Sequence, residues 1–162
     1  MPRSTRLAAV ATVVAATLAV GLMQTAASGA VRPAFAGRET FKIVARNPGP
    51  LHPIVYAWGA FKATGHYVRI RSAIVFPRGR IIVRRHVKST TYHGPNLTTC
   101  RFRIVQKGTF AVRRATGRYR HLHESGHFTS RLFGRLKKTG TNACGTKIVA
   151  SRTVTYEIGR TS

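Results

Sequence analysis

The chain contains no aspartate, and its acids are limited to Glu39, Glu124 and Glu157 against 28 lysines and arginines. A Ser-His-Asp triad is therefore impossible. Hard-cation sites built from several carboxylates are excluded as well, and a paired-carboxylate glycosidase would have to draw on three glutamates scattered along the sequence. Neither a G-x-S-x-G elbow nor a Walker-type phosphate loop occurs. Tryptophan is limited to Trp58 and cysteine to Cys100 and Cys144. What remains is a formal net charge of +25 on 162 residues, which marks a surface that attracts polyanions.

The only long apolar run lies at the start. Arg3 and Arg6 precede Leu7–Leu22, which is followed by MQTAASGA. Basic, then apolar, then small is the layout of a secretory signal peptide, and the apolar run is shorter than the ~20 residues of a membrane span. Residues 1–30 are expected to be a leader cleaved after Ala30, with Ala36 as the alternative site. Arg3 and Arg6 are not adjacent, so twin-arginine export has no support. Cleavage after Ala30 removes two arginines and no acid, and leaves residues 31–162 as a single, strongly basic domain. The expected location is secreted or associated with the cell envelope. There an isolated cysteine pair reads most simply as a Cys100–Cys144 disulfide. It would close a loop of roughly 45 residues and contribute about 4 kcal/mol by restricting the unfolded chain.

After the leader, apolar residues recur with a period near two, and no amphipathic helix stands out. Strands are expected over 40–45, 54–61, 66–76, 80–88, 97–106, 109–113, 128–136 and 147–158. Pro77-Arg78-Gly79-Arg80 reads as a hairpin turn, Ala115-Thr116-Gly117-Arg118 as a second turn and Lys107-Gly108 as a bulge. Thr91–Asn96 and Lys137–Gly145 read as loops. About eight short antiparallel strands predict an all-β domain closed into a barrel. In the last strand Val154, Tyr156 and Ile158 share one face. Tyr56 and Trp58 are candidates for an interior ligand pocket.

The basic residues fall largely on alternate, outward positions. Candidate anion-binding residues are Arg69, Arg71, Arg84, Arg85, Arg101, Arg103, Arg113, Arg114, Arg118 and Arg120, with Arg131 and Arg152 extending the surface. Tyr119 between two arginines and Tyr92 beside His93 are placed to stack on bases of a single strand. For any one basic run, a plain solvated surface is the simpler reading; for the total charge it is weaker. His123-Glu124-Ser125-Gly126-His127 spells H-E-x-x-H, but the zinc-peptidase use of that spacing needs a helix. Gly126 and the strand-like flanks point instead to exposed histidines on a hairpin, and no metal or cofactor is expected.

Residues 108–128, GTFAVRRATGRYRHLHESGHF, resemble the strand–turn–strand signature of the allene oxide cyclase-like barrels, which include the plant dirigent proteins. Gly108, Thr109, Phe110 and Val112 fit its first part, Thr116, Gly117 and Tyr119 its second, and Gly126 and Phe128 its third. Phe76-Pro77-Arg78-Gly79 resembles the family's hairpin. Ala115 departs from the second glycine common there, and the aspartates of dirigent-type sites are absent. The resemblance implies an eight-stranded antiparallel barrel with a partly apolar interior; it carries no catalytic position onto this chain.

Together these features favour a non-enzymatic binding protein. Its exterior would meet anionic polymers such as cell-wall phosphates or nucleic acid, and its interior would hold a small apolar ligand. The alternative is a cyclase- or dirigent-like enzyme acting on a hydrophobic substrate through arginine or tyrosine hydrogen bonds rather than carboxylates. A membrane-disrupting cationic factor would need an amphipathic helix.

Overall fold

A computed structural model describes residues 35–161, so the leader expected over 1–30 and a cut after Ala30 lie outside the described residues. Eight strands follow one another: β1 Gly37–Asn47, β2 Ile54–Gly59, β3 Ala63–Val68, β4 Ala73–Phe76, β5 Gly79–Asn96, β6 Arg101–Ala115, β7 Glu124–Gly140 and β8 Ala143–Thr161. Each pairs antiparallel with the next, and β8 returns to pair with β1 from Gly37↔Thr161 to Asn47↔Ser151, so the sheet closes in a ring. Closure removes the two outer edges of the sheet, but β5 beyond Val83 and β8 before Ser151 each pair on one side only. Short 3₁₀ turns occupy Arg69–Arg71 and Gly117–Tyr119.

The alternation that predicts strands also selects the inner face. Phe41 and Ile43 of β1, Val55 and Ala57 of β2, Ile74 and Phe76 of β4, Ile81 and Val83 of β5, Phe110 of β6 and Phe128 of β7 are all buried. Each of the valine, isoleucine and phenylalanine side chains among them contributes roughly 1.5–3 kcal/mol by leaving water. Phe35, Phe61, Phe76 and Tyr119 plug one end, with the Phe61 and Tyr119 rings 4.9 Å apart and the Phe35 and Phe61 rings 5.5 Å apart. A cut after Ala36 would remove Phe35 from this plug.

The ring is unequal along its length. β2, β3 and β4 are short, whereas β5 to β8 run on for 18, 15, 17 and 19 residues. Beyond about Val87 and Arg135, most side chains of these long strands are exposed on both faces. The Cys100–Cys144 disulfide fastens the tip of the β5–β6 hairpin to that of β7–β8. The expected loops at Thr91–Asn96 and Lys137–Gly145 are largely strand, because each of these hairpins is longer than its polar sequence suggests. The expected single strand over 66–76 is broken at Arg69–Arg71. The register shift near Lys107-Gly108 lies across the pairing, between Val87 and Ser89 on β5, while β6 runs through as one strand.

Candidate functional site

All three acids of the chain turn into the ring. Glu39 and Glu157 are 0% exposed and Glu124 is 4% exposed. Glu39 shares the inner face of β1 with Phe41 and Ile43; Glu124 shares that of β7 with Phe128. On β8 the inward residues are Thr155, Glu157 and Gly159. Gly159 pairs with Glu39 on one side and with Gly126 on the other. A side chain at Gly159 would collide with the Glu124 carboxylate and the Ser125 carbonyl, so its absence makes room for that carboxylate.

Arg85 enters the same interior from β5. Its Nε donates to Glu157 Oε1 in an ion pair. Its Nη1 donates to the Tyr67 hydroxyl at 2.6 Å, and its guanidinium lies 4.7 Å from the Tyr67 ring centroid. Glu39 accepts from the Phe61 amide at 3.0 Å. Both Glu124 oxygens lack a hydrogen-bond partner, as do one oxygen each of Glu39 and Glu157.

Burial pushes Glu39 up to about 7, against backbone N–H groups that favour its charged form. Glu124 is pushed up to about 8 by burial and then by the nearby negative charges of Glu39 and Glu157. Burial raises Glu157 too, against the pull of Arg85. Burial also opposes the charge of Arg85, but Glu157 outweighs it and holds that group above its usual value. Glutamates that look scattered along the sequence thus converge on one polar interior. For Glu39 and Glu124 the signal available in the sequence was register with the apolar inner-face residues Phe41, Ile43 and Phe128; Glu157 carried no such local signal.

The outer face is the converse. Among the described residues, no side-chain carboxylate is exposed. Arg69, Arg71, Arg84, Arg101, Arg103, Arg113, Arg114, Arg118 and Arg120 are exposed as expected. Arg85 is not part of this surface: it has the parity of Ile81 and Val83, and Glu157 already occupies its guanidinium. Tyr56 and Trp58 do not line the interior either. Val55 and Ala57 take the inward positions of β2, leaving Tyr56 42% and Trp58 41% exposed. Tyr119 is buried in the plug and offers no free ring for stacking, whereas Tyr92 is exposed. Val154, Tyr156 and Ile158 share a face, and it is the outer one.

The arginines gather in separate clefts. Arg84 and Arg113 share one with His86. Arg78 and Arg118 flank the aromatic plug with Lys62. A cleft of about 520 Å³ holds Arg46, Arg101, Arg135 and Arg152 around Phe133. None of these three clefts is lined by an interior glutamate. In the H-E-x-x-H segment Glu124 points inward while His123 and His127 point out, so the strand separates the residues that a helix would gather. No group of three or more metal-ligating side chains occurs among the described residues. No helix there is long and apolar enough to cross a membrane. Comparison with protein families, with curated proteins and with solved structures finds no match to this chain.

Proposed function

We propose that the protein is an exported β-barrel that binds anionic polymers on its outer face. The observation that carries this reading is the segregation of charge: every acidic side chain is folded inside, leaving the exposed arginines and lysines without a carboxylate among them. Long-range attraction to phosphate- or sulfate-bearing chains follows from that distribution. The Cys100–Cys144 bond fits an oxidising compartment and supports the expected export. The closed eight-stranded ring, together with the Gly108-Thr109-Phe110 strand and the Thr116-Gly117 turn, supports an allene oxide cyclase-like barrel. The enzymatic alternative and a small apolar ligand inside are both less favoured, because aromatic, aliphatic and carboxyl side chains fill the interior.

The test is a comparison of two sets of variants. Replacing Arg101, Arg103, Arg135 and Arg152 together by glutamine should sharply weaken binding to a labelled anionic polymer at moderate salt. Glu124→Gln, which changes only the interior, should leave it unchanged. Equal binding by both would sink the outer-face reading.

A further inference from the structure

The arginine cleft around Phe133 has an organisation that net charge alone does not require. Two adjacent rows of outward side chains cross the sheet there. In one, Arg101 of β6 pairs with Arg135 of β7, which pairs with Ala150 of β8. In the other, Phe133 of β7 pairs with Arg152 of β8, which pairs with Arg46 of β1. The rows stand two residues apart, about 7 Å along the strands. Like charges directly opposite in a sheet destabilise it, yet two such pairs, Arg101 with Arg135 and Arg152 with Arg46, stand side by side here. An anion placed between the rows relieves both.

Phe133 lies among these guanidiniums and is 46% exposed. Between the rows the floor is backbone at Gly134, and the Phe102 ring packs against that glycine. A flat apolar face amid several guanidiniums suits a ligand that alternates π-surfaces with phosphates. Duplexes hide their base faces, so the match is to a single strand.

We propose that this cleft binds single-stranded nucleic acid. One base stacks on Phe133, and the flanking phosphates are held by Arg46, Arg101, Arg135 and Arg152. The inference rests on the polyanion-binding reading and narrows it to one ligand class and one site.

The experiment compares a labelled oligothymidylate with an abasic oligomer of the same length, near physiological salt, by fluorescence anisotropy. The wild-type protein should prefer the base-bearing strand by about tenfold. Phe133→Ala should erase that preference without changing affinity for the abasic strand, and Phe133→Trp should keep it. Arg101→Gln with Arg135→Gln should weaken both ligands and lower the slope of log K against log salt by about 0.7 per arginine. A thermal melt checks that each variant stays folded. Equal wild-type affinity for the two strands, or a preference that survives Phe133→Ala, overturns the stacking site while leaving polyanion binding standing. Tighter binding of a sulfated glycan than of oligothymidylate does the same. Loss of all binding at this salt overturns both readings.

Discussion

Three buried glutamates set the residue-scale chemistry. Glu39 and Glu124 titrate near 7 and 8 when folded, well above the usual carboxylate range, because burial disfavours their charge. The folded protein therefore holds protons that the unfolded chain releases. The stability these groups confer is fully present below about pH 4.5 and is lost as pH rises through about 7 to 8. Thermal melts across that window should show the melting temperature falling with rising pH. The doubly substituted Glu39→Gln, Glu124→Gln protein should show a flatter profile; an unchanged slope would contradict the assignment. Arg85 makes the complementary case. Arg85→Met strands Glu157 without its counter-charge and should cost about 3 kcal/mol in denaturant unfolding. Adding Glu157→Gln should recover a large part of that loss, and a purely additive cycle would argue against the pair.

At the scale of elements, the alternation of apolar and polar residues locates most strands but decides their facing only where one side is clearly apolar. β1 is legible: Phe41 and Ile43 alternate with Lys42 and Val44, and Glu39 falls in step with the buried set. β5 is legible to the same depth, since Arg85 keeps step with Ile81 and Val83. Treating Arg84 and Arg85 as one surface run ignores that parity. β2 is apolar all round at Ile54-Val55-Tyr56-Ala57-Trp58, so no pattern indicates that its aromatics face out. β8 reverses the usual rule by turning Thr155 and Glu157 inward while Val154, Tyr156 and Ile158 face out. Ring closure on β1 and β7 fixes that choice, and closure is a long-range property that a local pattern does not carry.

The hairpin tips depend on their covalent link. Cys100→Ser with Cys144→Ser should lower stability by up to about 4 kcal/mol through the freed unfolded chain. Hydrogen exchange should accelerate first in β5 beyond Val87 and in the start of β8, with the strands around Phe41 and Val55 still protected. Uniform acceleration throughout would mean that the tips and the ring open as one unit.

For the whole molecule, the arrangement inverts the common placement of charge. The few acids are spent on the interior, where two carboxyls raised by burial and one ion pair sit among aromatic and aliphatic side chains. The exterior is left cationic over several strands. Composition alone indicates the attraction to polyanions; the separation of sign between inside and outside required the fold. The most direct test of the account is the equilibrium affinity of the protein for a labelled anionic polymer across a salt series. Log K should fall steeply and linearly with log salt, reflecting several displaced counterions, with measurable and polymer-selective binding persisting at about 0.15 M salt. Weak, unselective binding that is gone by that concentration would contradict it, leaving the outer charge as bare electrostatics.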